Sequence, residues 1–262
     1  MKFISSILVL SSMLLFANSA EEIFKTQCGT CHVDYIPQSK LLVNYKNNNS
    51  DLNLSAPTLT ELSFRLRDQV GDRKADKESQ LMEIEDFLIN YVNRPDRNRT
   101  ILPKNVISHF KTMPPQNLTE DDAELLSEYM FDFSEKMIVE HSVKRYSYEE
   151  ALAKAKKENK IVLIEGYIPF CRGCIKMDRE VFVEEEVKEA LNKGFVVVKK
   201  NVLIEKLPLG LKSLGTPSFY FIDNKGKEVI DALQGIGTVD EFLEMLSSVE
   251  ESAEEKEFVK EF

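Results

Sequence analysis

Between residues 161 and 174 the chain reads Ile161-Val162-Leu163-Ile164-Glu165-Gly166-Tyr167-Ile168-Pro169-Phe170-Cys171-Arg172-Gly173-Cys174. The unbroken apolar run at its start predicts a short strand, buried on both sides if helices cover the sheet. The cysteines after it open a helix, whose spacing continues to about Asn192 with a break near Phe182. Cys171 then lies at the helix start, where backbone amides favour the thiolate. Cys174 lies one turn in, where it can resolve a mixed disulfide. The four cysteines of the chain form two such pairs, Cys28/Cys31 and Cys171/Cys174. A stapled scaffold would scatter its cysteines to close longer loops; a plain disulfide is the alternative for each pair.

Outward from this stretch, helix and strand alternate. Tyr148 to Lys157 reads as a helix, and Phe195–Val198 and Ser218–Ile222 as strands. Asp223-Asn224-Lys225-Gly226 turns the chain into Glu228-Val229-Ile230, and a last helix spans roughly Val239 to Leu246. The glutamate-rich residues 250–262 read as a solvated, frayed tail. The alternation predicts a mixed central sheet covered by helices. From about Tyr146 to Leu246 the chain resembles the thioredoxin superfamily. It is nearest to exported members with C-x-x-C-x-x-M-[DE]-x-x-x-[FY], matched by Cys171, Cys174, Met177, Asp178 and Phe182. The resemblance implies that Thr216-Pro217 is the cis-proline element beside the dithiol. It also implies that Glu165 is a buried acid passing protons to or from the resolving thiol; otherwise Glu165 is an exposed strand-end charge. Phe170 stands where that family commonly has tryptophan, which points to dedicated rather than general partners.

The first half carries Cys28-Gly29-Thr30-Cys31-His32, the C-x-x-C-H signature of covalent c-type haem. Two thiols one turn apart reach two vinyl groups on one porphyrin edge, and the next imidazole lies under the iron. Zinc lacks ligands here, with three histidines in the whole chain and no second cysteine pair in this half. Helices are predicted from Glu21 to Gln27, around Leu81–Val92 with Pro95 as the stop, and from Thr119, with Asp122 completing a capping box. Residues 44–51 read as a polar loop, and no strand is expected. Over about 21–133 the chain resembles a small class I cytochrome c domain. The resemblance implies one haem c, with Met113 of Lys111-Thr112-Met113-Pro114-Pro115 as distal ligand and the Pro57 carbonyl orienting His32. It also implies a crossing of the first and last helices at Phe24 and Tyr129. Met113 as a core filler and His109 as ligand stay open. Met82 reads as core and residues 93–107 as an ordinary solvated loop, with a shield for the haem edge or a charged face for a partner as the alternatives.

The 262 residues carry 34 Lys and Arg against 44 Asp and Glu, a net charge of −10. No basic footprint exists for a polyanion, so nucleic acid is excluded as a partner. Residues 1–20 read as a secretory signal, with cleavage after Ala20 or Ser19, and the mature chain contains no span. The expected organisation is a cytochrome c domain at 21–135, a connector at 136–145, a thioredoxin-like domain at 146–249 and an acidic tail at 250–262. Asn53 and Asn98 lie in N-x-[ST] sequons with an acidic residue two positions earlier, and chance matches are common in so Asn-rich a chain. His141 reads as a surface residue. The expected function is a periplasmic redox protein joining haem c electron transfer to dithiol–disulfide exchange, with periplasmic redox proteins, cytochromes and disulfide-bearing clients as partners. Two alternatives remain: an electron carrier whose thioredoxin-like domain only docks a partner, and a thiol reductase assisting assembly of cytochromes c or other periplasmic proteins.

Overall fold

The computed structural model describes residues 19–213, 215–235 and 237–260; all but the last two residues of the expected signal lie outside them. The first half is helical: α1 (Ala20–Gln27), α2 (Gln38–Lys46), α3 (Leu59–Gln69), α4 (Lys77–Val92), the single turn α5 (Lys104–Ile107) and α6 (Glu120–His141). Side-chain caps fix where the helices begin. Ser19 and Glu22 form a reciprocal capping box on α1, and Thr58 and Glu61 form one on α3. Thr119 caps α6 by accepting from the Asp122 N–H at 3.2 Å. The expected return bond is replaced: the Asp122 carboxylate, one carbon shorter than glutamate, accepts from Gln27 of α1 at 3.3 Å. α6 packs on α1, α3 and α4. The core holds Phe24, Leu59, Leu66, Ile84, Leu88, Leu126 and Met130, and Phe24 meets Tyr129 at 5.9 Å between ring centres, as the sequence led us to expect.

Two expectations for this half are corrected. The 44–51 tract is not a plain loop, since α2 runs through Lys46 and Asn44 is fully buried. Its amide donates to Asn49 and accepts from the Leu52 N–H, while Asn48, Asn49 and Asn53 take left-handed backbone angles that asparagine tolerates. Met82 is 63% exposed, because the buried stripe of α4 runs through Gln80, Ile84 and Leu88 instead.

The second half contains α7 (Tyr148–Glu158), β1 (Ile161–Tyr167), α8 (Arg172–Lys176), a wider helical turn at Met177–Val181, α9 (Glu185–Gly194), β2 (Phe195–Asn201), β3 (Ser218–Ile222), β4 (Val229–Gln234) and α10 (Val239–Lys260). The strand order is β2-β1-β3-β4, with β1 parallel to β2 and antiparallel to β3. Alternation along the strands splits the side chains between two layers. Val162, Ile164, Val196, Val198, Tyr220 and Ile222 pack on α7. Leu163, Val197, Phe219 and Phe221 face Met177, Phe182, Leu191 and Phe242 on the other side. This is the thioredoxin-like, helix-covered sheet expected.

The connector is ordered, and the tail departs from expectation. α6 continues to His141 and ends on its cap Ser142, so most of the connector is helix. Arg145 and Tyr146 then pair with Val197 on the open edge of β2. His141 is no plain surface residue, for it stacks on Tyr35 at 3.9 Å. The two halves touch through Arg179, which binds Asp68 at 2.6 Å and lies 4.0 Å over the Phe64 ring, and through Glu184, which accepts from Ser39 at 2.8 Å. α10 carries the tail to Lys260, with Leu246 and Val249 buried and Ala253 packed beside them at helical spacing.

A frayed tail and a packed one respond differently to truncated side chains. Val249→Ala should lower stability by about 2 kcal/mol in urea unfolding with an unchanged slope. Glu251→Ala, on the exposed face, should change it little. Equal, near-zero effects would return residues 249–253 to the solvent.

Candidate functional site

Two sites emerge, one in each half. Cys171 forms the cap of α8, its sulfur accepting from the Cys174 N–H at 3.2 Å, and the two cysteines are joined as a disulfide with their Cα atoms 5.3 Å apart. Cys171 is partly exposed, whereas Cys174 is 2% exposed. Phe170 takes a left-handed φ of 59°, which is costly for an aromatic residue, and stands 54% exposed beside Cys171. The Thr216–Pro217 bond is cis, and the Pro217 carbonyl accepts from Gly235 at 3.0 Å. Gly166 lies where β1 and β3 come closest: a Cβ there would meet the Ser218 Oγ at 2.5 Å. Leu203 and Ile204, just past β2 at the same end of the sheet, are 68% and 82% exposed. With Phe170 they are exposed apolar side chains beyond the ends of β1 and β2. Sequence reasoning passed over both, since neither belongs to a motif.

Glu165 follows Leu163 on the face covered by α8–α10 and has no exposed surface. Two cations and one acid surround it. Arg145 reaches its Oε2 at 3.4 Å through both Nε and Nη2, and the Lys199 ammonium lies 3.1 Å from Oε1. Asp178 sits between the same cations, 3.0 Å from Arg145 and 2.6 Å from Lys199. Burial pushes the Glu165 carboxyl above its ordinary value, Arg145 and Lys199 opposing the rise and Asp178 adding to it. The alternative of an exposed strand-end charge is thereby excluded.

The second site is a cavity of about 330 Å³ inside the helical half. Cys28, Cys31, His32, Pro57 and Met113 all line it, among the apolar side chains of Phe24, Leu62, Leu66, Phe87, Leu88 and Met130. α1 ends at Cys28, and Gly29 packs so closely on Lys25 that a Cβ would meet its carbonyl oxygen at 2.9 Å. The next turn brings the His32 N–H to the Cys28 carbonyl at 3.0 Å. The His32 Nδ1 lies 2.7 Å from the Pro57 carbonyl oxygen. A carbonyl can only accept, so Nδ1 carries the proton and Nε2 keeps its lone pair. Burial pushes the imidazole below its ordinary value, against the Pro57 bond, so it stays neutral at physiological pH. Burial pushes the Cys28 thiol up, Cys31 adding to the rise, and neither cysteine is in a disulfide.

His109 lies outside the cavity lining, stacked 5.0 Å from the Tyr45 ring. The 93–107 segment is corrected from solvated loop to cavity wall, since Arg97, Thr100, Ile101, Leu102 and Ile107 line it. Arg97 pins that wall by donating to the Phe110 and Ile107 carbonyls at 2.8 and 2.7 Å. Asn53 and Asn98 are both exposed. Among the described residues no helix is long and apolar enough to cross a membrane.

A family model, Thioredox_DsbH, described as "Protein of unknown function, DUF255", matches residues 126–206. The match begins inside α6 and covers the connector, β1, the dithiol and β2. No curated protein matches the chain. Among solved structures, a thioredoxin from Thermus thermophilus is 30% identical, with 41% of this chain and 87% of that chain covered and a TM-score of 0.36. A putative disulphide-isomerase from Bacteroides thetaiotaomicron is 25% identical, covering 42% and 93% with a TM-score of 0.36. A protein described as DsbH oxidoreductase is 21% identical, covering 41% and 84% with a TM-score of 0.34. The sheet, the dithiol and the family match together support a thiol–disulfide oxidoreductase-type function for the second half.

Two outcomes test this site. Cys174→Ser should trap mixed disulfides through the accessible Cys171, and Cys171→Ser should trap few; equal trapping would leave a structural clip. The Glu165 carboxyl holds its proton to higher pH in the folded chain than at its ordinary 4.5. Its neutral-form stabilisation is therefore full below that value and lost as pH rises through the raised one. In urea, the stability of Glu165→Gln relative to the unsubstituted protein should improve steadily as pH climbs from 4 to 8. A constant difference would mean that Glu165 does not titrate abnormally.

Proposed function

We propose that the chain is a periplasmic redox protein with two centres: a dithiol that exchanges with protein disulfides, and one haem c held in the helical half. The observation that carries the haem reading is the convergence of Cys28, Cys31, His32 and Met113 on one cavity, with His32 Nδ1 engaged by Pro57.

In the helical half, Cys28 and Cys31 would hold the group through their sulfurs. His32 would offer Nε2 as a donor to it, in the tautomer that Pro57 fixes. Met113, on the wall that Arg97 braces, would offer its thioether as the other donor. When bound, haem c supplies one-electron transfer, and a His/Met pair raises its potential. In the second half, the Cys171 thiolate attacks a client disulfide and releases one client thiolate. Cys174 gives its proton to Glu165 and attacks the Cys171 sulfur, releasing the second client thiolate. Two electrons pass to the client and the protein is left with the Cys171–Cys174 bond; the reverse sequence oxidises a client. Phe170, Leu203 and Ile204 offer the client exposed apolar side chains. Redox proteins, cytochromes and disulfide-bearing clients are the partners these two chemistries call for.

The haem reading is tested by producing the mature chain in cells with and without haem-attachment machinery. Colour that survives acid–acetone extraction is expected only with it, and only while Cys28 and Cys31 are both present. Extractable colour would overturn covalent attachment. Met113→Ala should abolish the thioether–iron band at the red end of the ferric spectrum. Persistence of that band would remove Met113, and its loss on His109→Ala alone would move the ligand there.

A further inference from the structure

Arg145 belongs to neither motif, yet four elements meet at this residue. It lies just beyond the end of α6, and its backbone pairs with Val197 on the edge of β2. Its Nη1 donates to Ser142, the cap of α6, at 2.9 Å. Its Nη2 donates to Asp178 at 3.0 Å, and Nε and Nη2 approach Glu165 Oε2 at 3.4 Å. Its guanidinium carbon lies 5.3 Å from the centre of the Phe182 ring. The groups facing Glu165 are Arg145 from the connector, Lys199 from β2 and Asp178 from the turn after α8. From β3 its partner is Phe219, which bears no charge.

Two acids and two bases leave this cluster neutral. The Lys199 ammonium is committed to Asp178, donating to both its oxygens at 2.6 and 2.7 Å. Arg145 supplies the second positive charge, and it does so from the segment that joins the halves. Asp178 is tied to the first half as well, since its neighbour Arg179 binds Asp68 and covers Phe64 on α3.

We propose that Arg145 is a positioning residue of the dithiol site, holding Glu165 and Asp178 and making proton transfer at the buried acid depend on how the end of α6 is seated. This rests on the reading of Cys171 and Cys174 as an exchanging dithiol. In the resolving step the proton leaves the Cys174 sulfur for a Glu165 oxygen, the Cys174–Cys171 bond forms, and the bond from Cys171 to the client breaks. The client sulfur departs with the electron pair and takes a proton from water. Only ionised Glu165 can accept the Cys174 proton, and Arg145 sustains that form. Without Arg145 the cluster carries a net negative charge, and Glu165 keeps its proton to higher pH.

The test uses the full mature chain with ¹³C-labelled glutamate carboxyls, Glu165 being assigned by its loss in Glu165→Gln. Arg145→Gln should raise the Glu165 titration midpoint by about one pH unit or more, as expected for the loss of a close opposite charge. Arg145→Lys should restore it to within a few tenths of a unit. The pH profile for reduction of a small aromatic disulfide by the reduced protein should move in the same direction as the midpoint. An unmoved midpoint in Arg145→Gln, or an Arg145→Lys midpoint displaced as far as that of Arg145→Gln, would overturn the proposal. So would a moved midpoint with an unmoved exchange profile. Should Arg145→Gln fail to fold, Ser142→Ala, which releases the guanidinium from α6, should give a smaller upward shift; no shift there overturns the proposal too. Failure of the unsubstituted protein to exchange with any disulfide at any pH would instead remove the dithiol reading beneath it.

Discussion

A carboxylate with no exposed surface must be either neutral or matched by positive charge, and Glu165 on β1 imposes that choice on everything around it. The strand cannot turn it outward. Leu163 precedes it on the same face by two residues, and the opposite face of β1, with Val162 and Ile164 under α7, is buried too. The charge is met where it stands, by Lys199 from the neighbouring strand and Arg145 from the connector, with Asp178 balancing the two cations. This cluster explains the path of the chain before α7. The connector lies along the edge of β2 at Arg145 and Tyr146, which brings the guanidinium to the acid.

The helical half is organised around the opposite requirement, an apolar interior with a few directed polar atoms. Most of the cavity wall is aliphatic or aromatic, and two of its polar side chains are held by backbone carbonyls. His32 is held by the Pro57 carbonyl, and Arg97 by the Phe110 and Ile107 carbonyls. Such arrangements keep donor atoms in place without filling the space they face. α6 closes the domain by packing on three other helices, then carries the chain out toward the cluster at Glu165.

What the sequence disclosed was local, and what it concealed was brought together from afar. Both cysteine pairs, the strand before the dithiol, the proline before β3 and the Met-Pro-Pro segment sit in short motifs with fixed spacing, so each was legible where it stood. Arg145, Glu165, Asp178 and Lys199 come from four separate segments, and no periodicity joins them; Glu165 stood out through its distance from Cys171 and Asp178 through the cysteine motif, whereas Arg145 and Lys199 carried no signal. The wall at 97–107 was hidden by its polarity, because an arginine bound to carbonyls looks in sequence like an arginine in water. The helix of the tail was missed because its glutamates outnumber its apolar residues, yet Ala253 continues the face of Leu246 and Val249, while its neighbours stay largely exposed as expected. Met82 erred the other way: α4 is apolar on more than one side, and composition alone does not say which side is covered.

The two halves share one helix as a wall. Residues two apart on a helix point to nearly opposite sides, and α3 uses this fully. Leu62 and Leu66 line the cavity, whereas Phe64 and Asp68 receive Arg179 from the turn that follows the dithiol helix. About 10 Å, the thickness of a helix, therefore separates the cavity wall from the contact with the second half. A connector without glycine or proline suits such a pair, since halves already in contact need no long tether to raise their encounter rate. Contact does not merge their chemistry. In the functions proposed above, thiol exchange would move electrons in pairs and a single haem would move them one at a time. Any traffic between the two would require two separate one-electron events with a one-electron acceptor outside the chain. The shared helix thus fixes where the halves meet, and Arg145, bound to both Ser142 and Glu165, is a second point at which the end of α6 touches the buried charges of the second half.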